Sequence, residues 1–239
     1  MKATQYNALI IAALATTLAT SGCAEDPSKA APQATVGEVK ADEAKTSEGT
    51  KPQAAAAATK PAAAAKAPAA SGKTVALAGT IGFTGSKVTG SHDGVFKTWT
   101  GSLVMGNSLE TTSLSFSVDT ASVFSDPDNR SPWSEKLDGH LKSADFFDAG
   151  THPQATFKST AIKEGGEGAA THTMSGDLTL RGVTRPVTFP ATVKIDGASV
   201  SATAEFTIQR TQWGVNYKGK ADDLIRDGVV MKINVQGKS

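Results

Sequence analysis

Apolar and polar residues alternate with a period of two along most of the chain from Thr74 onward. Leu114, Phe116 and Val118 alternate with Ser113, Ser115, Ser117 and Asp119. Val187, Phe189, Ala191, Val193 and Ile195 alternate with Thr188, Pro190, Thr192, Lys194 and Asp196. The same rhythm runs from Val200 to Ile208 and from Val229 to Val235, and in shorter form at 77–84, 96–105, 155–162 and 173–181. Period two is the signature of strands with one apolar and one polar face. About eight such strands are expected. The turns between them are short, at Gly90 to Gly94, Gly106-Asn107, Gly165-Gly166, Gly182, Asp196-Gly197 and Asp227-Gly228. Short connections favour antiparallel neighbours. Repeated strands without helical crossovers make an all-β barrel or sandwich.

One segment departs from this rhythm. Ser131 is a helix cap with Pro132 at the first helical position. Trp133, Leu137 and Leu141 then share one helical face, so one short helix, followed by Phe146-Phe147, is expected to lie across the strands or over one barrel end.

The chain before Thr74 carries no such pattern. Lys2 followed by the apolar run Ala8 to Ala15 and the small residues Thr20-Ser21-Gly22 reads as an export signal over 1–22. The run is too short for a membrane span, which needs roughly 20 residues. Ser21-Gly22-Cys23 resembles the lipobox of bacterial lipoproteins, with Thr20 where Leu is usual. That resemblance implies acylation of Cys23 and attachment to a membrane, the outer one where the host has two. The stretch 23–73 reads as a disordered tether. Ala54 to Ala70 is mostly alanine, interrupted by Lys60, Pro61, Lys66 and Pro68, and cannot bury a core. The β-domain is expected over 74–239.

Composition narrows the function. The chain has 24 Lys+Arg against 23 Asp+Glu; from Val75 onward the counts are 16 and 17. Such a balance gives no basic face for nucleic acid. A single cysteine rules out an internal disulfide or a Cys-rich metal site. His92, His140, His152 and His172 have no metal-ligand spacing, and no nucleophile elbow, His-Glu-x-x-His or phosphate loop occurs. Neither an enzyme nor a cofactor or metal protein is expected. Asp222-Asp223 reads as a solvated turn, and Arg181 and Arg185 as a hairpin tip that could also meet an anionic headgroup. An apolar barrel interior either packs solid or encloses an apolar chain. The small inward residues Ala191, Ala202 and Ala204 leave space there. An enclosed chain burying on the order of 500 Å² gains roughly 12 kcal/mol before the losses of association.

Five motifs, in order, resemble the YceI-like family. They are Gly94-Val95-Phe96, the run His140 to Asp148 (His-Leu-Lys-Ser-Ala-Asp-Phe-Phe-Asp), Pro153 to Ser159, the run Gly176 to Val187, and Arg210 with Trp213-Gly214. The resemblance covers 87–235 and implies an exported bacterial protein folded as an eight-stranded antiparallel lipocalin-like barrel. It also implies a ligand class held inside: a polyisoprenoid, an isoprenoid quinone or a fatty acyl chain. Leu137 and His152 depart from the family pattern, as does an opening strand without Trp-x-x-Asp.

The expected lumen contacts are Phe83, Phe96, Phe116, Leu178, Leu180, Phe189, Phe206, Ile208 and Met231. Trp99, Trp133, Phe146, Phe147 and Trp213 are expected at the mouth or barrel end. The function expected is that of a membrane-attached periplasmic carrier or store of lipid. The alternative is a solid barrel that binds a protein partner through its loops, and pairing of two barrels into a homodimer is left open.

Overall fold

The computed structural model describes residues 25–40, 72–196 and 199–238. The expected signal at 1–22, Cys23 and the alanine-rich stretch lie outside the described residues. The strands are β1 Thr35–Val36, β2 Thr74–Lys87, β3 Gly90–Phe96, β4 Trp99–Val104, β5 Ser113–Asp119, β6 Val123–Ser125, β7 Gln154–Glu164, β8 His172–Leu180, β9 Val183–Asp196, β10 Ser199–Gln209, β11 Gly219–Lys220, β12 Asp223–Leu224 and β13 Gly228–Lys238. The helix α1, Pro132–Lys142, stands between β6 and β7.

Eight of these close into an antiparallel barrel in the order β2, β4, β5, β7, β8, β9, β10, β13, with β13 returning to pair with β2. The alternation read from the sequence is the reason: in β5, Leu114, Phe116 and Val118 are buried while the serines between them are half-buried. The far half of β2 carries a second pair, β3 and then β6. Residues 90–94, expected as a turn, are the first part of β3. Its Gly-Ser-His-Asp sequence has no apolar face to announce a strand, but β3 pairs through its main chain with β2 from Gly82 to Lys87.

Residues 25–40, expected as part of a solvated tether, lie against the barrel wall. The strands β9 and β10 pair only between Thr192–Asp196 and Ser199–Thr203. Beyond that point they diverge, and residues 25–40 enter the gap as a strap. Thr35 and Val36 pair with Thr188 and Val187 on one side. On the other, Ala34 N donates to Thr207 O and Thr207 N to Pro32 O, each at 2.8 Å. Ala34 and Val36 pack onto the core, and Ala31 is itself buried.

Helix α1 starts where the sequence places it. Ser131 caps it and exchanges bonds with Ser134. Leu141 is buried and Leu137 packs on the core, but Trp133 is 75% exposed. It sits in the first turn, with the Lys136 ammonium 4.3 Å above its ring. The helix is fixed through Asp138, which accepts from Ser125 N and Ser125 Oγ at 2.7 Å each and pairs with Arg130 at 2.8 Å. Burial opposes ionisation of Asp138, but Arg130 and Ser125 outweigh it and hold its carboxyl below the ordinary range.

A carboxyl with a depressed pKa contributes stability above its unfolded-state pKa and loses it as pH falls through the folded one. Asp138→Asn should therefore lower unfolding free energy at pH 7 by about 1–3 kcal/mol. In urea titrations the gap to the parent should shrink as pH falls below about 4.

Candidate lumen site

The barrel interior holds a row of apolar voids. The largest, about 170 Å³, lies beneath α1 and the segment after it. Its wall is formed by Phe83, Phe96, Phe116, Phe146, Leu178, Leu180, Phe189, Phe206, Ile208 and Met231, joined by Ile81, Phe147, Phe157 and Val229 among others. A void of about 20 Å³ shares Phe116, Phe189 and Ile233 with it. A third, about 30 Å³, shares Leu114, Met174, Ala202 and Val235 with the second. The third reaches the opposite end of the barrel at Met105 and Leu109. The three form a narrow apolar track along the barrel.

Three of the residues expected at the lumen or its mouth stand off this track, the exposed Trp133 of α1 among them. Trp99 packs edge-on against Phe116, with ring centres 5.9 Å apart. Trp213 is not at a mouth: it is fully buried, and its indole N–H donates to Leu178 O at 3.1 Å. Its polar edge satisfies a main-chain carbonyl of β8, which takes it away from the void. Ile81, Phe157 and Val229 were not expected on the wall, although period-two extension of β2, β7 and β13 points to each of them.

Glycine keeps the widest part open. A Cβ on Gly94 would overlap the Phe83 ring, which is its direct partner across β2 and β3. Gly101 stands in the same relation to Phe116, with 2.7 Å between an added Cβ and the ring, and a Cβ on Gly176 would overlap the Phe157 ring. Each ring lies over a neighbouring glycine along the wall and leaves the axis free. The inward alanines play a smaller part. Ala191, Ala202 and Ala204 border the 20 Å³ void, where Leu114, Met174 and Phe189 fill most of the space they leave.

Arginines bonded to main-chain carbonyls close the end beneath α1. Arg210 is buried and donates to Arg226 O at 3.0 Å, Val215 O at 2.6 Å and Ile225 O at 3.2 Å. Burial lowers its pKa and nearby Asp227 opposes this. Arg181 donates to Ala144 O and Phe146 O, seating Phe146 and Phe147 over the opening. Arg185 donates to Gln212 O at 2.7 Å and to Gly37 O of the strap at 3.0 Å. The Arg181–Arg185 turn is thus committed to main-chain contacts rather than presented to a headgroup.

The titratable pairs lie outside the lumen. His92 is bonded to Asp126 and His140 to Asp145. Asp223 accepts from Lys87 and Thr89, which hold its carboxyl below the usual range.

The family described as YceI-like domain matches residues 74–237. The chain belongs to the YceI-like family. A UPF0312 protein of Pseudomonas fluorescens (strain SBW25) is 34% identical over 151 residues, 58% of this chain and 74% of that one. A UPF0312 protein of Pseudomonas putida (strain W619) is 41% identical over 105 residues, 44% of this chain and 50% of that one. The chain therefore spans about half the length of several curated relatives that it matches. Among solved structures, Burkholderia cenocepacia BcnA superposes with a TM-score of 0.53 at 24% identity, covering 65% of this chain and 95% of that one. A polyisoprenoid binding domain from Saccharophagus degradans superposes with a TM-score of 0.52 at 14% identity, covering 70% and 98%. These likenesses show the fold. In this YceI-like chain, Gly94 and Gly176 seat aromatic rings, and Arg181 and Arg210 hold the barrel end.

Gly94→Ala should turn the Phe83 ring into the lumen. Expected are a loss of about 1–3 kcal/mol in chemical denaturation and weaker uptake of any apolar chain. Unchanged uptake by the folded variant would remove Phe83 from the working wall.

Proposed function

We propose that this chain is an envelope lipid-binding protein. The barrel holds a long apolar chain (a polyisoprenoid, an isoprenoid quinone or a fatty acyl chain) as carrier or store, without enzymatic turnover. The row of apolar voids from one barrel end to the other carries the reading. A globular core of this kind normally packs without such a row, and a chain without polar groups along its length fits a wall whose free surface is carbon. The Saccharophagus domain of the same fold, described as polyisoprenoid-binding, supports the same ligand class.

The size of the void sets a condition. An engineered apolar cavity of about 150 Å³ accepts a benzene-sized guest. The void of about 170 Å³ here therefore takes only part of a long chain. Phe83, Phe96 and Phe147 meet one another at ring-centre distances of 5.6–6.1 Å. Phe83 already lies against the wall over Gly94, so Phe96 and Phe147 must turn aside from it to admit the rest. The same observation favours the second reading, a filled barrel that presents its loops to a protein.

Native mass spectrometry of the full chain, followed by organic extraction and identification of the extract, separates the two. Covalent acyl groups stay on the protein, and a held lipid passes into the solvent. The expected result is a stoichiometric isoprenoid, quinone or fatty acid, with occupancy reduced in Ala155→Phe, which fills the void from its wall. A barrel that is empty and refuses added polyprenols and quinones would establish the interaction module instead.

Membrane attachment through acylated Cys23 belongs to the same proposal. Cys23→Ser should move the protein from the membrane fraction to the soluble periplasmic fraction. Retention of the variant at the membrane would discard the anchor.

A further inference from the structure

We infer that the seam between β9 and β10 is the door through which an apolar chain reaches the lumen, and that residues 34–40 of the strap are the removable stave that shuts it. This rests on the lipid-binding reading above.

At this seam two neighbouring wall strands separate and an upstream segment takes the place of their ladder. Past Thr192 and Thr203, β9 and β10 pair no further, and the strap stands between them. The attachments of its 34–40 part are few and mostly half-exposed. They are the two-residue pairing at Thr35 and Val36, the main-chain bonds of Ala34 to Thr207 and Gly37 to Pro186, and Lys40 N to Thr184 O at 2.8 Å. Two side chains add to these: Arg185 donates to Gly37 O, and the Lys40 ammonium meets Asp177 at 2.6 Å. The upstream part is held separately, through Ser28 O, which accepts from Thr207 Oγ1 at 3.0 Å, and through Asp26 beside Arg226 at 3.7 Å. A segment held like 34–40 opens far more readily than the ladders on either side, which run for up to eleven residue pairs.

What lies behind the strap decides its role. Val187 and Phe189 on β9, and Phe206 and Ile208 on β10, flank the seam and also line the 170 Å³ void. Phe189 and Phe206 stack across it at 3.9 Å, with 9° between their planes. Withdrawal of Ala34 and Val36 therefore leaves this one ring pair between the seam and the widest part of the track. The axial way in from Leu109 leads first through the voids of about 30 and 20 Å³, past Leu114, Met174 and Phe189. At the seam a chain has only the Phe189–Phe206 pair to part before it enters the void of about 170 Å³.

A staple tests this. Thr35 and Thr188 face each other across an antiparallel pair, where Cβ atoms lie about 4.5–5.5 Å apart, close to disulfide reach. The double variant Thr35→Cys, Thr188→Cys is made in full-length Cys23→Ser protein. Stopped-flow fluorescence then follows N-phenyl-1-naphthylamine entering and leaving the barrel, with displacement by geranylgeraniol marking the lumen. The single-cysteine variants correct for the substitutions themselves. With the disulfide closed, both rates should fall by roughly tenfold or more while the affinity holds, and reduction should restore them. In the opposite direction, Lys40→Ala should quicken both by about two- to fivefold. Rates indifferent to a verified disulfide, or to loss of Lys40 where no disulfide closes, overturn the door and leave the axial route. A probe that binds in none of the forms overturns the lipid-binding reading itself.

Discussion

A closed antiparallel sheet must give the main chain of every strand a partner on both sides, because an unpaired buried amide or carbonyl is costly. Most junctions of this barrel are met by ladders between consecutive wall strands, including β13 with β2. Where β2 leaves β4, β3 takes up its edge. The junction between β9 and β10 is met in part by a segment from far upstream. That segment supplies the missing partners for Pro186, Thr184 and Thr207, and two apolar side chains for the inner face. The YceI-like match begins at residue 74, so the wall of this barrel is completed from outside the family domain. Lys40 bonds through its main chain to Thr184, and Lys73 to Met105. The chain is thus fixed to the barrel both at residue 40 and at residue 73.

The barrel end beneath α1 obeys the same accounting by other means. Its covering loops have little ladder beyond the two-residue pairing of β11 with β12, so several of their carbonyls turn to arginine. Arg210 reaches three carbonyls from one guanidinium and Arg181 two. A lysine ammonium is a compact point donor and could not span such a fan of acceptors from one position. These cations are positioning groups. They set the height of Phe146, Phe147 and Val215 over the lumen, and through that the volume left beneath.

The sequence displayed whatever depends on alternation. Strand β5 was legible residue by residue, because Leu114, Phe116 and Val118 face inward with serine on the other side. The lumen positions of β8, β9 and β10 were legible for the same reason. Ser131-Pro132 marked the helix, since a cap and a first-turn proline are local chemistry. Three things were hidden. Strand β3 is polar on both faces over 90–93 and is recruited by main-chain pairing with β2. The strap's strand, Thr35–Val36, is too short for any period, and its partners Val187 and Thr188 lie far along the chain. Trp213 was read as a mouth residue because an aromatic after a strand has no face assigned by pattern. Its place is fixed by a single indole bond to a carbonyl on β8.

Whether a barrel is hollow is a question that alternation cannot answer, since a solid and an open interior share the same inward apolar positions. Small inward residues looked like the source of space, yet Ala202 and Ala204 border the narrowest void. The wide void sits instead among the phenylalanines. Phe83, Phe116 and Phe157 each lie over a glycine on an adjacent strand, at distances no Cβ would allow. A ring held against the wall contributes its apolar area to the lumen surface without occupying the lumen. The volume is therefore set by pairs, large against absent, that meet only when register brings Phe83 opposite Gly94 and Phe116 opposite Gly101. That is why Gly94 and Phe96 stand together in the sequence while the ring that needs Gly94 comes from the preceding strand. It also gives the lumen a means of adjustment. Rings packed at 5.6–6.1 Å can turn about their own bonds without moving a strand, so a chain threading between them exchanges ring contacts for its own.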